Sequence, residues 1–166
     1  MATLECWFDL DGVIRILPFR LKEVELNRKN EKLFWHLQRF WFLRRTYNFL
    51  IRKPNAEILA FMEELNKRKI GMSLVSAAQE HHREELMIWF QKMKIHYLKT
   101  IVLKELFEEN WQDYKVRIVS NSCDFYLDDM EKTVRRINDS NGRCRAIHYY
   151  GQTKKELLKE LFPVFV

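Results

Sequence analysis

The chain has 166 residues, 47% of them hydrophobic and 31% charged, which is the composition of an ordinary globular protein long enough to bury one core. No run of ~18 apolar residues occurs, which excludes a transmembrane helix, and Met1–Glu5 lack a basic or long apolar stretch, so no secretory leader is expected. The net charge of +6 is concentrated in one place: residues 15–53 hold eleven Lys/Arg against three Asp/Glu, a balance of +8, and the other 127 residues sum to −2.

The first element is the run Leu4-Glu5-Cys6-Trp7-Phe8, which reads as a buried strand and drives into Asp9-Leu10-Asp11-Gly12. Two carboxylates at i and i+2 repel each other. A divalent cation, a shared proton or a basic partner would offset that, whereas a plain polar turn would leave them in solvent. Gly12 supplies backbone freedom where the chain turns away. The basic segment follows. From Glu31 to Leu50 it has no Gly or Pro and is dense in aromatics, so it reads as a helix apolar nearly all round. Asn55 is placed to cap a helix from Ala56 to Lys67 that turns Ile58, Leu59, Phe61, Met62 and Leu65 inward.

The next expected strand is Ile70–Ser76, ending in the small residues Ser76-Ala77-Ala78. A helix over residues 80–93, a strand over Tyr97–Leu103 and helical stretches over Lys104–Asn110 and Lys115–Ser122 come after it. Asp124-Phe125-Tyr126-Leu127-Asp128-Asp129 then repeats the opening theme of an apolar run closed by two acids. A helix over Met130–Asn138, a turn at Asp139–Gly142, a strand over Cys144–Tyr150 and a helix over Thr153–Phe162 complete the chain. Cys6, Cys123 and Cys144 lack CxxC spacing. They point to a reducing, intracellular (cytoplasmic) setting and away from a zinc site, with Cys6 a core residue.

Strands alternating with helices predict a single α/β domain over residues 1–166, a three-layer, Rossmann-like parallel sheet flanked by helices. In such sheets ligands sit beyond the carboxyl ends of the strands, where strand order reverses. Asp9 and Asp11, Ser76, and Asp128 and Asp129 all fall at expected strand ends.

Taken together, these residues resemble the haloacid dehalogenase (HAD) superfamily, most of whose members are magnesium-dependent phosphatases and phosphotransferases. The resemblance runs from Leu4 to about Gly151, outside the 15–53 insertion. Asp9-Leu10-Asp11-Gly12-Val13 is similar to the first motif, Ser76 to the second, Lys115 to the third and Leu127-Asp128-Asp129 to the fourth in its double-aspartate form. The resemblance implies that Asp9 attacks phosphorus to give an aspartyl-phosphate and that Asp11 is the general acid/base. It implies Mg²⁺ at Asp9, the backbone carbonyl of Asp11 and Asp129, with Asp128 holding a coordinating water. Ser76 would donate to the phosphoryl group and Lys115 would balance its charge.

Alternatives remain open on the sequence. Asp128 can be the direct ligand with Asp129 capping the next helix, Ser76 can cap its own following helix, and Lys99 and Lys104 compete with Lys115. His81-His82 reads as a solvated helix start, since adjacent residues on a helix diverge.

The 15–53 insertion occupies the position of a small helical cap. Trp35, Phe40, Trp41, Phe42 and Tyr47 interleave there with Arg39, Arg44 and Arg45, a pattern suited to stacking on bases and meeting phosphates. Small HAD deoxynucleotidases are similar in this respect, which suggests a nucleotide or nucleic-acid end as substrate. The same aromatics equally suit packing on the core or on a second subunit of a homo-oligomer, and membrane-surface attachment is a weaker reading. The expected activity is Mg²⁺-dependent phosphomonoester hydrolysis. Its rivals are phosphotransfer to an acceptor other than water and a non-catalytic HAD-like protein whose insertion binds an anionic partner.

Overall fold

The computed structural model describes residues 4–16, 52–104 and 110–163. In chain order its strands are β1 (Glu5–Asp9), β2 (Arg15–Ile16), β3 (Lys53–Pro54), β4 (Gly71–Gln79), β5 (Thr100–Lys104), β6 (Phe125–Asp128) and β7 (Arg145–His148). The helices are α1 (Ala56–Lys67), α2 (Arg83–Lys92), α3 (Trp111–Val119), α4 (Glu131–Asn138) and α5 (Lys154–Leu161). Five strands form one parallel sheet in the order β5-β4-β1-β6-β7, and β2 pairs antiparallel with β3. From β1 the chain moves out through β4 to β5, then returns past β1 to β6 and β7. Strand order therefore reverses between β1 and β6, whose last residues are Asp9 and Asp128.

Side chains alternate across the sheet with period two, which sorts the core into two layers. Phe8, Leu74 and Leu127 pack with Ile58, Phe61, Met62 and Leu65 of α1, with Trp89 and Phe90 of α2, and with Leu157 and Leu161 of α5. On the other face Val75 and Tyr126, with the partly buried Trp7, meet Tyr114 and Val119 of α3 and Val134 and Ile137 of α4. Cys6 is fully buried, as expected of a core residue, and all three cysteines are free thiols. No helix among the described residues is long and apolar enough to cross a membrane.

Several boundaries differ from the sequence reading, each for a local reason. The strand expected over Ile70–Ser76 continues to Gln79, with an irregularity between Ser76 and Gln79 where it runs beside β5. The strand expected from Tyr97 starts at Thr100. The helix expected to start at Lys115 starts at Trp111, because Asn110 accepts the Gln112 N–H at 2.8 Å and so caps it. Lys115 thus lies in the second turn. Asn55 does occupy the N-cap position of α1, yet its amide does not cap. It donates instead to the carbonyl of Val13 at 3.0 Å and to the Tyr149 hydroxyl at 2.7 Å. The expected helix over residues 31–50 and most of the Lys104–Asn110 stretch lie outside the described residues.

Candidate active site

Parallel register sets Asp9 level with Val75 of β4, and Phe8 level with Leu127 of β6. Asp9 and Asp128 therefore end adjacent strands and point to the face that α3 covers. The second turn of α3 delivers Lys115 between them: Nζ lies 2.8 Å from Asp9 Oδ2 and 2.8 Å from Asp128 Oδ2. Asp9 is 5% exposed, Lys115 3% and Asp128 0%, so these charges face one another almost without water. Lys99, the first competitor, pairs with Glu5 near the opposite end of the sheet. Lys104, the second, ends β5, and its side chain has no hydrogen bond or ion pair to another described residue.

Asp128 accepts three donors in all. Its Oδ2 also accepts the Tyr126 hydroxyl at 2.7 Å, and its Oδ1 accepts the Met130 N–H at 2.8 Å. The residue supporting the turn into α4 is therefore Asp128, and the alternative with Asp129 as helix cap does not hold. Asp129 presses against Gly12 instead. A β-carbon built on Gly12 would lie 2.0 Å from Asp129 Oδ2, and Gly12 has φ +85°, so both space and backbone require glycine there. The His148 ring meets the Asp129 carbonyl at 3.1 Å and fixes its backbone.

Asp9, Asp128 and Asp129 each offer a carboxylate oxygen within 4.8 Å of the others, the one such group of His, Cys, Asp or Glu among the described residues. His81 and His82 form a 3₁₀ turn ahead of α2 and take no part in it. Burial pushes Asp9 well above the usual carboxylate range; Lys115 opposes the shift, and Asp128 and Asp129 add to it. Burial, then Asp128, pushes Asp129 up to about 7. Burial alone would lower Lys115, but Asp9 and Asp128 outweigh it and hold the ammonium charged.

Ser76, 3% exposed, comes one residue after the Asp9 partner Val75, and its Oγ accepts the Ala78 N–H at 3.1 Å. This contact is local to β4, and Ser76 does not cap the next helix.

Asp11 stands apart from the acidic group and is about one-third exposed. Its Oδ1 accepts Arg15 Nε at 2.7 Å and Arg52 Nη1 at 2.5 Å. Burial would raise its pKa, but the two guanidinium groups win and hold the carboxyl below its ordinary range. In this form Asp11 suits proton acceptance. Giving a proton requires the approach of a further negative charge, such as a phosphoryl group, to shift it upward.

Tyr126, Arg15, Arg52 and His148 were not singled out as site residues from the sequence. Tyr126 carried a usable signal, a hydroxyl two residues before Asp128 in an apolar strand and hence on its face. Arg52 carried none, being 41 residues from Asp11.

No protein-family model matches the chain and no curated protein matches it by sequence. Solved structures do match in three dimensions. A Thermotoga maritima protein designated a beta-phosphoglucomutase superposes with TM-score 0.61 at 12% identity, covering 98% of this chain and all of its own. A HAD-superfamily hydrolase from Ehrlichia chaffeensis gives 0.60 at 12% identity, with both chains fully covered. A HAD family enzyme from Bacteroides thetaiotaomicron, in complex with magnesium and inorganic phosphate, gives 0.54 at 12% identity over 94% of this chain and 99% of its own. With a five-stranded parallel sheet, helices on both faces and paired acids at the switch point, the chain has the haloacid dehalogenase-like fold.

Proposed function

We propose that this protein is a member of the HAD superfamily and a Mg²⁺-dependent phosphomonoester hydrolase acting through a covalent Asp9 intermediate. The observation that carries this reading is the buried array at the switch point, in which Lys115 bridges Asp9 and Asp128 while Asp129 stands beside them. Asp9 Oδ1 and the Asp129 carboxyl are held by no other described residue, which leaves both able to bind a cation or, for Asp9, to attack. The donor set is all oxygen and crowded with negative charge, as a hard divalent cation prefers.

Asp9, the backbone carbonyl of Asp11 and Asp129 would hold Mg²⁺, with Asp128 acting through a water. When bound, the ion supplies neutralisation of the phosphoryl charge. Asp9 attacks phosphorus, Asp11 gives a proton to the departing oxygen and later takes one from the attacking water, and Ser76 and Lys115 hold the phosphoryl oxygens. On this reading residues 1–166 would make one domain, with 15–53 as a short cap. The aromatic and arginine content of residues 34–49 favours a small or nucleotide-like phosphate, and the magnesium and phosphate bound by the Bacteroides relative agree with the chemistry.

The test is phosphate release from a broad panel of phosphomonoesters. Release with Mg²⁺ that is abolished by EDTA is expected. No release with Mg²⁺ across the panel would favour the rival reading of an anion-binding protein.

The metal reading also sets a pH dependence. The folded protein holds a proton on Asp129 up to about 7, whereas the unfolded chain releases it near 3.8. Over that window the native state binds more protons, so metal-free stability falls as pH rises, by at most about 1.4 kcal/mol per pH unit for this group. Mg²⁺ displaces the proton and therefore stabilises more at about pH 8 than at about pH 5. Thermal unfolding with EDTA and with Mg²⁺ at the two pH values checks this, and Asp129→Asn is expected to flatten the dependence. Equal stabilisation by Mg²⁺ at both values, or none, would contradict it.

A further inference from the structure

Two arginines stand at the two feet of the 17–51 segment. Arg15 opens β2 and Arg52 directly precedes β3, and these strands pair antiparallel, Arg15 with Pro54 and Ile16 with Lys53. Both guanidinium groups converge on a single oxygen, Asp11 Oδ1, with Arg15 Nε and Nη2 each at 2.7 Å and Arg52 Nη1 at 2.5 Å. Asp11 Oδ2 has no hydrogen-bond partner among the described residues. Both arginines are more than nine-tenths buried, and the Arg15 guanidinium also lies over the Trp89 ring at 5.8 Å. The backbone is tied in the same way: Gly12 N–H donates to the Arg15 carbonyl at 2.9 Å and Arg15 N–H to the Leu10 carbonyl at 2.8 Å.

Placing two guanidinium groups out of water against one carboxylate oxygen exceeds what a simple ion pair requires. Its geometric result is a carboxyl group with one oxygen gripped and the other without a partner among the described residues.

We propose that Arg15 and Arg52 are positioning residues that clamp Asp11 Oδ1 so that Oδ2 faces the leaving group. This rests on the phosphatase reading above. Asp11 Oδ2 takes up a proton as the phosphoryl group approaches; as Asp9 then bonds to phosphorus, the ester P–O bond breaks, its electron pair goes to the departing oxygen, and that oxygen takes the proton from Asp11 Oδ2.

The test compares wild type, Arg52→Met, Arg52→Lys, Asp11→Asn and the Asp11→Asn/Arg52→Met double variant with Mg²⁺. The substrates are p-nitrophenyl phosphate, whose leaving group departs without a proton, and glycerol 2-phosphate, whose alkoxide needs one. Arg52→Met is expected to lower kcat on the glycerol ester by about tenfold or more, to change KM less than about threefold, and to act much more weakly on the aryl ester. Arg52→Lys should recover part of the loss, and the double variant should resemble Asp11→Asn alone. A rise in KM with kcat intact, equal losses on both esters, or losses that multiply with those of Asp11→Asn would overturn the clamp.

If wild type hydrolyses neither ester nor any other in the panel, the phosphatase reading fails. The clamp is then read from urea unfolding midpoints. Asp11→Asn and Arg52→Met shifts that are less than additive support it, and additive shifts overturn it.

Discussion

Asp9→Asn is expected to lower kcat by at least about 10³-fold while leaving the fold intact, the largest single effect foreseen here. The amide keeps the size and hydrogen-bonding reach of the carboxyl but is not a competent nucleophile. Stability should change little, because two effects oppose each other. Asparagine gives up one charged contact to Lys115, which keeps Asp128 at 2.8 Å. It also removes one of three crowded carboxylates whose repulsion and burial push Asp9 well above its ordinary range. Steady-state kinetics on the best substrate of the panel, with circular dichroism and a melting curve, check both halves. A variant that turns over within about tenfold of wild type would place the nucleophile elsewhere.

Lys115→Met should be both inactive and unstable. The ammonium is 3% exposed and is the basic partner of two buried acids, so its removal leaves Asp9 and Asp128 facing each other without a cation. Breaking a buried pair in this way costs about 3–5 kcal/mol. For a chain of this size that corresponds to a fall in melting temperature on the order of 10 °C. Without the ammonium Asp9 moves still further up, which would weaken it as a nucleophile. The double variant Lys115→Met/Asp128→Asn carries one uncompensated charge fewer, so it should melt above Lys115→Met yet remain inactive. If Lys115→Met melts with wild type, the ion pairs are not what holds this end of the sheet together.

These expectations draw on features the sequence exposed to very different degrees. Strand ends were legible because β1 and β6 are short apolar runs closed by acids, a pattern that burial and repulsion make conspicuous. The start of α3 was legible in principle, since Asn110 precedes it and caps it, although the sequence reading places that start at Lys115. Asn55 was read as a cap from residue type alone. Its amide turned elsewhere because Tyr149 and the Val13 carbonyl, 94 and 42 residues away, offer buried partners that no local pattern reveals. Arg15 and Arg52 were visible only as two of eleven basic residues in a segment that looked suited to nucleic acid. Their convergence on Asp11 depends on the β2–β3 pairing, a contact between residues 15–16 and 53–54 that composition cannot encode. Arg39, Arg44 and Arg45, with their neighbouring aromatics, lie outside the described residues, so the anion-binding expectation for them stands on sequence alone.

On the proposed mechanism Asp9 carries the phosphoryl group, and acid quenching during turnover reads this directly. Wild type mixed with Mg²⁺ and a good substrate, quenched in acid and analysed by peptide mass spectrometry, is expected to carry a phosphoryl group on Asp9 that hydroxylamine removes, with none in Asp9→Asn. Steady turnover with no phosphorylated aspartate, or with the label on another residue, would contradict it.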